Sequence, residues 1–585
     1  MSSARIALVS LAVAACAQDP GTGPAAEPAV AEPPAAPAAF EERATEAGLV
    51  FRHLNGGGGR YLLPEIMGSG AALFDFDDDG DLDAYLVQGV ELEPGAGPAS
   101  ADSSTRDRLF RNELAETGDL RFVDVTADSG IESTGYGMGV AAADYDGDGK
   151  TDLYVTNFGP NRLWRNLGGG RFEDATAAAA VGDPRWSVPA VFFDYDSDGA
   201  LDLFLANYVD FNLGSHTLCT FGSGEPDYCS PKTYRPEPDR LFRNLGNGRF
   251  EQTTGRSGLA AEFGNGLGAV PADFDLDGRL DLYVANDGTS NQLWMNLGVG
   301  RFENRALFAG AAVNGRGEAE AGMGVDAGDS DGDGDEDLYV THITGETSTL
   351  YLNNGDGLFA DAGMVAGLDA PSLAMTGFGT GWFDFDNDGD LDVLAVNGAV
   401  RRLDRARGGA EAAARGAAVS DHERRFGQPN QLFRNLGGGR FEDVSALGGA
   451  SFTAFEVSRG AAFGDVDNDG DTDVLITNNN GPARLIVNVV GQDNGWIGLR
   501  LLTGDGKRDA LGSLVHVVLD DGRTLTRRVR TAMSYASSSD PRVLVGIGAA
   551  GVEDVRVAWL GGAEESFGPL STGTYHELRQ GKGSQ

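Results

Sequence analysis

A nine-residue acidic segment, Asp75-Phe-Asp-Asp-Asp-Gly-Asp-Leu-Asp83, recurs in seven versions along this 585-residue chain. Every version keeps Asp at positions 1, 3, 5 and 9 and Gly at position 6. The first carries Asp75, Asp77, Asp79 and Asp83, the second Asp144, Asp146, Asp148 and Asp152, and the third Asp194, Asp196, Asp198 and Asp202. The fourth carries Asp273, Asp275, Asp277 and Asp281, and the fifth Asp329, Asp331, Asp333 and Asp337. The last two carry Asp384, Asp386, Asp388 and Asp392, then Asp465, Asp467, Asp469 and Asp473. Four carboxylates on so short a turn repel one another unless a hard cation lies between them. Calcium takes about six to eight oxygens at about 2.3–2.6 Å, which closely spaced Asp side chains supply. Glycine at position 6 admits the positive φ of a sharp turn. The carbonyl of position 7 would complete the ligand ring. That role ignores the side chain, and the position varies: Asp81, Lys150, Ala200, Arg279, Asp335, Asp390 and Asp471. Up to seven Ca²⁺ ions are expected.

The flanks decide the fold. Each loop is followed by an apolar, β-prone run, such as Leu153-Tyr-Val-Thr or Val474-Leu-Ile-Thr, and preceded by a Gly/Ala-rich one, such as Gly139-Val-Ala-Ala-Ala. An EF-hand needs a bidentate Glu at position 12 and flanking helices. Position 12 here is apolar throughout (Leu86, Val155, Leu205, Val284, Val340, Ala395, Ile476), so each loop reads as a turn between two strands. Further on comes a second shared phrase, Asn161-Arg-Leu-Trp-Arg-Asn-Leu-Gly-Gly-Gly-Arg-Phe, which reads as strand, Gly-rich turn, strand. Units of about four short strands repeating at a period of about 50 or more residues predict an all-β, seven-bladed β-propeller over residues 40–490. The seventh unit ends at Asn488 without its last strand, while an orphan copy, Phe40-Glu-Glu-Arg, stands before the first. The N-terminal strand is expected to complete the last blade and leave no open edge.

These loops and the Asn-x-x-Gly-x-Phe turns resemble FG-GAP/VCBS repeats, the calcium-loaded blades of integrin α-type propellers. From about Gly491 the repeats stop and strand-like runs predict a small β domain over 491–580. Its phrases Ala510-Leu-Gly-Ser, Ser534-Tyr-Ala-Ser-Ser-Ser-Asp540 and Val555-Arg-Val-Ala-Trp-Leu resemble the ASPIC/UnbV domain. The order of elements is similar to that of the cartilage acidic protein family and its bacterial relatives. Lys507-Arg508-Asp509 stands where family members often have an Asn-Arg pair, so no residue role is carried over to this domain.

The formal net charge is −43. Seven divalent ions would reduce it only to −29, which argues against nucleic acid as a partner. Arg5, the apolar run Ile6–Ala15 and the ending Val13-Ala-Ala-Cys16 resemble a bacterial lipoprotein signal, with residues 1–15 removed and Cys16 lipidated. Ala17 at the next position implies, by lipoprotein sorting rules, the outer membrane or cell surface. The alternatives are a periplasmic or a secreted protein. The Ala/Pro-rich stretch 16–39 reads as a tether of up to about 70 Å at ~3.1 Å per residue. Cys219 and Cys229, in an insertion from Asn207 to Pro238, are expected to form a disulfide that stabilises this loop by roughly 2–3 kcal/mol. The Arg/Ala-rich insertion 401–428 is a basic island read as a solvated surface helix, with a binding role as the alternative.

No catalytic constellation emerges. His422-Glu-Arg-Arg-Phe426 fails the His-Glu-x-x-His pattern, and no P-loop occurs. The expected protein is a monomeric, exported, lipid-anchored calcium-binding propeller. It would act as a non-enzymatic binding or adhesion module for a protein or glycan ligand at the propeller face, touching the membrane only through its lipid. Two alternatives stand beside it: a propeller-scaffold enzyme acting on polysaccharide, and a structural envelope-assembly protein.

Overall fold

The computed structural model describes residues 38–92, 106–221, 224–403 and 420–584. Cys16, the leader-like segment, the tether up to residue 37 and the Arg/Ala-rich residues 404–419 lie outside the described residues. Residues 38–585 form one compact unit. Among the described residues no helix is long and apolar enough to cross a membrane.

The seven expected repeats correspond to seven antiparallel sheets, whose repeat strands lie within residues 71–124, 136–174, 187–252, 266–304, 325–361, 377–443 and 458–488, blades 1 to 7. The first strand of each blade contacts the first strand of the next, and blade 7 returns to blade 1. The acidic segment is the connection between strands one and two: Phe74 pairs with Asp83, Ala143 with Asp152, and Gly464 with Asp473. Position-6 glycines take the left-handed conformation that the turn requires, with φ 94° at Gly80 and 95° at Gly470.

Crowding at the axis explains the Gly/Ala-rich first strands. A Cβ on Gly70 would lie 1.7 Å from the Ala536 carbonyl oxygen, and one on Gly324 would lie 1.9 Å from that of Phe378. Blade 7 is completed as expected. Phe40–Glu42 pairs antiparallel with Arg484–Asn488, with Phe40 opposite Asn488. The Phe40 ring packs 6.1 Å from Phe385 of blade 6, as Phe172 of blade 2 packs 6.2 Å from Phe76 of blade 1.

Residues beyond 490 form a three-stranded and a four-stranded sheet. Their apolar side chains, among them Ile497, Val515, Val545 and Val557, belong to one core cluster with Tyr154 and Leu203 of blades 2 and 3. One segment of this region enters the propeller axis. Ser537–Ser538 extends the blade 1 sheet beside Ala71–Phe74. The first strands present backbone N–H groups toward the axis, and these must find partners. The Ser534 Oγ accepts from Thr380 N–H at 3.1 Å, Ser537 Oγ from Ala71 at 3.2 Å, Ser538 Oγ from Ala142 at 3.1 Å and Ser539 Oγ from Phe463 at 3.1 Å. Tyr535 between them is fully buried, donates to the Met67 carbonyl at 3.1 Å and packs edge-on to Phe378 at 4.8 Å. A serine run thus fills the channel and satisfies strands from four blades.

The far mouth of the channel is covered by insertions. Cys219 and Cys229 are disulfide-bonded across the hairpin Cys219–Phe221 and Glu225–Asp227. From the same insertion Tyr228 lies 5.3 Å from Tyr61 and 5.8 Å from Phe426, the buried end of the helix Asp421–Phe426. The Arg401–428 insertion was expected as a solvated helix. Of its described ends, Asp421–Phe426 is a helix with Asp421 and Arg424 exposed, while at the other end Arg402 pairs with Glu225 at 2.7 Å and its N–H donates to Asp227 at 3.1 Å. The reason is local, since the blade 3 insertion supplies both the carboxylates and the aromatic surface.

Candidate metal centres

Within each loop the backbone aims the carboxylates. Position 9 opens the second strand and is buried. Its Oδ2 accepts the N–H of position 2 and its Oδ1 the N–H of an Asn ending the third strand; in blade 1 these are Phe76 at 2.9 Å and Asn112 at 2.8 Å. The same pair of bonds is made by Asp152, Asp202, Asp281, Asp337, Asp392 and Asp473. At position 1 one oxygen accepts from the position-6 glycine in all seven loops, at 2.8 to 3.1 Å. At position 5 the Oδ1 accepts from the position-7 N–H, again in every loop.

Position 3 differs. The buried Oδ1 of Asp77, Asp196, Asp275, Asp331, Asp386 and Asp467 has no hydrogen-bond partner. Asp146 alone gives its Oδ1 a partner, the N–H of Asp148 at 3.2 Å. Positions 1, 3 and 9 converge: one oxygen each of Asp75, Asp77 and Asp83 lie within 4.8 Å of one another, as do those of Asp144, Asp146 and Asp152, Asp194, Asp196 and Asp202, and Asp273, Asp275 and Asp281. Position 5 stands outside these trios. Burial pushes the carboxyls up, with neighbouring acids adding to it: Asp202 to about 9, Asp337 to about 8, Asp384 to about 7 and Asp77 to about 6. Without added positive charge, the loops resist full ionisation. The donor set is oxygen only, which suits a hard divalent cation and not a thiophilic one, and the orphaned position-3 oxygen fits one more positive partner. The acidic clusters of these repeats are thus able to hold metal ions.

Sequence reasoning missed the Asn. Its side chain fastens the loops to one another. The Asn112 amide donates to the Val466 carbonyl at 2.9 Å, position 2 of the loop in blade 7. Asn166, Asn244, Asn296, Asn353, Asn435 and Asn488 donate in turn to Phe76, Tyr145, Tyr195, Phe274, Ser330 and Phe385, each one blade back, at 2.7 to 2.9 Å. The ring of bonds closes on itself. The signal was present, since Asn recurs at this place in every unit. Asn296→Ala will strand the Tyr195 and Leu280 carbonyls and should cost about 1–3 kcal/mol in chemical denaturation. A loss below 0.5 kcal/mol (about the value of a neutral surface change) would remove the Asn ring from the account of stability.

The C-terminal region grips the same loops. Tyr575 donates to Asp465 Oδ2 at 2.8 Å, Arg542 to the Asp465 carbonyl at 2.9 Å, Arg523 to the Asp388 carbonyl at 2.9 Å and Arg527 to that of Gly389 at 2.9 Å. Arg528 pairs with Glu336 at 2.6 Å, both side chains nearly buried.

Six stretches of the chain match the model of the FG-GAP-like repeat: residues 75–155, 144–205, 222–284, 273–340, 331–395 and 417–476. Residues 504–585 match ASPIC and UnbV. Cartilage acidic protein 1 of Mus musculus is 23% identical over 239 residues, which cover 40% of this chain; the match spans only 34% of that relative's own length. Among solved structures, an Agrocybe aegerita lectin recognising non-reducing terminal N-acetylglucosamine has a TM-score of 0.37 and 14% identity, covering 71% of this chain and 86% of the lectin. YCF48 bound to D1 peptide has 0.39 and 8%, covering 76% of this chain and 99% of YCF48. The BBS1N chain in complex with ARL6DN has 0.38 and 7%, covering 78% and 98% respectively. Matched over more than half its length by the repeat model, the chain belongs to the FG-GAP-like repeat family and carries a C-terminal ASPIC and UnbV domain.

Proposed function

We propose that this protein is a non-enzymatic, calcium-stabilised binding module, exported to the cell envelope and held there by a lipid on Cys16. The observation that carries the calcium reading is the trio of converging carboxylates with its unpartnered position-3 oxygen. In each loop the residues at positions 1, 3 and 9 would hold the ion, with position 5 at the margin. The ion would supply the positive charge that lets buried carboxylates stay ionised. The propeller then acts as a rigid platform, and the insertion side carries recognition. There a cavity of about 230 Å³ opens beside the disulfide hairpin, floored by Met67, Tyr208, Met323 and Phe378 and rimmed by Lys232, Asp287 and Glu346. Apolar surface with a few polar groups suits a protein or glycan ligand. The disulfide favours an oxidising compartment, in keeping with export.

Calorimetry tests the calcium reading. Calcium at 100 times its dissociation constant stabilises by about 2.7 kcal/mol per independent site, so Tm should rise by many degrees over calcium-free protein. An unchanged Tm at millimolar calcium would sink the reading. Calcium-dependent capture from envelope extract, abolished by Lys232→Glu, would support the binding surface.

A second reading, an enzyme acting on polysaccharide, draws on one residue. Glu65 is buried beneath the insertions, pushed up to about 7 by that burial, with Oε1 unpartnered and Oε2 accepting from Tyr228 at 3.3 Å. Polysaccharide cleavage by the purified protein, lost in Glu65→Gln, would favour it. The third reading, a structural envelope-assembly protein, predicts capture of envelope components without any small ligand.

A further inference from the structure

Blade 1 departs from blades 2 to 4 at position 5 of its loop. In those three blades a cationic side chain sits on that carboxylate: Lys150 Nζ is 3.1 Å from Asp148, Arg243 Nη2 is 2.6 Å from Asp198, and Arg279 pairs with Asp277. Arg165 adds a second contact to Asp148 at 3.3 Å. In blade 1 the position-5 residue, Asp79, meets two more carboxylates instead, Asp81 and Glu116, one oxygen of each within 4.8 Å of the others. Asp81 is 0% exposed. Its Oδ2 accepts from the Ala115 N–H at 2.8 Å, but its Oδ1 has no partner, and neither has the buried Oδ2 of Asp79. Arg111, the counterpart of Arg165 and Arg243, reaches Glu113 at 3.0 Å.

Three blades thus mark, with a covalent cation, the place where blade 1 gathers acids. The energetics agree. The six carboxylates of Asp75, Asp77, Asp83, Asp79, Asp81 and Glu116 keep four negative charges with one divalent ion and two with a second. The four Asp of blade 3, with one ion and Arg243, keep one. Like charges packed beside a fully buried, unpartnered oxygen are not tolerated without a counter-charge.

We propose that Asp79, Asp81 and Glu116 hold a second divalent cation in blade 1, beside the one assigned to Asp75, Asp77 and Asp83. The proposal rests on the reading that these loops take hard cations. An all-carboxylate donor set selects calcium or magnesium. Glu116 comes from the short helix Leu114–Thr117, outside the repeated loop, so no other copy of the nine-residue segment encodes this residue.

Calcium bound per full chain, measured by equilibrium dialysis and elemental analysis, tests it. Glu116 is exposed, so Glu116→Gln will fold, and it should lose one ion per chain while Glu113→Gln loses none. Glu116→Lys, which installs the cation that blade 2 carries, should also lose one ion and raise the Tm of the calcium-free protein above that of the calcium-free wild type. If Glu116→Gln binds as many ions as wild type, the second site is wrong while the loop reading stands. If wild type binds no calcium, the loop reading falls and this site with it.

Discussion

A chain ending at Val490 will fail to give a folded propeller. The channel of blades 1 to 7 is filled by residues from the C-terminal region, and the hydroxyls of Ser534, Ser537, Ser538 and Ser539 accept backbone N–H groups from blades 6, 1, 2 and 7. Truncation leaves these donors without their protein partners, at about 1–3 kcal/mol for each that stays buried. It also removes Tyr535 from the apolar cluster of Met67, Tyr136, Trp186 and Phe378, where loss of a large aromatic costs about 3–5 kcal/mol. The sum rivals the whole stability of an ordinary domain, about 5–15 kcal/mol. Residues 38–490, expressed alone in calcium, should elute as aggregate and show no cooperative melt. A sharp transition within a few degrees of the full chain would show that the two regions are independent.

The second large effect is the cancellation of a pH dependence by calcium. In calcium-free protein, burial holds Asp202 and Asp471 up to about 9, Asp337 to about 8 and Asp335 to about 7. Unfolded aspartate titrates near about 3.9. A carboxyl whose folded value is raised binds its proton more tightly when folded. Its contribution is therefore favourable at low pH and is lost as pH rises through the folded value. Calcium-free protein should gain stability on going from pH 8 to pH 6. With saturating calcium the same groups are ionised in the folded protein and in the unfolded chain alike, so stability should hardly change over that interval, while the increment due to calcium is smaller at pH 6, where protons compete with the metal. Calorimetry at the two pH values, after exhaustive dialysis and again in excess calcium, should give a steep dependence in the first case and a nearly flat one in the second. Parallel slopes would mean that the loop carboxylates do not govern stability.

Legibility followed the range of each interaction. The turn, its Gly80 and the β-register from Phe74 to Asp83 were readable because all of their determinants lie within a dozen residues, and because seven copies repeat the evidence. Phe40 was readable as a displaced copy of a repeated phrase. The serine run was visible only as family phrasing, since its partners Ala71 and Ser537 lie 466 positions apart and nothing at either place announces the other. The Asn ring failed differently. Asn166 sits in every reader's view, but its partner is the backbone carbonyl of Phe76, and a carbonyl leaves no mark on a sequence. The inequivalence of the loops was half visible: Lys150 and Arg279 against Asp81 were noted as variation, and only the approach of Glu116 turns that variation into chemistry. The docking of Arg402 on Glu225 depends on two insertions meeting, which neither composition records.

Strand Phe40–Glu42 finishes the last blade, and the serine run arrives later still. On the ribosome, therefore, the first of the described strands must wait for most of the chain before it meets its partner at Arg484–Asn488. Closure of the ring is thus a late event in synthesis, whatever the order in which the individual blades form.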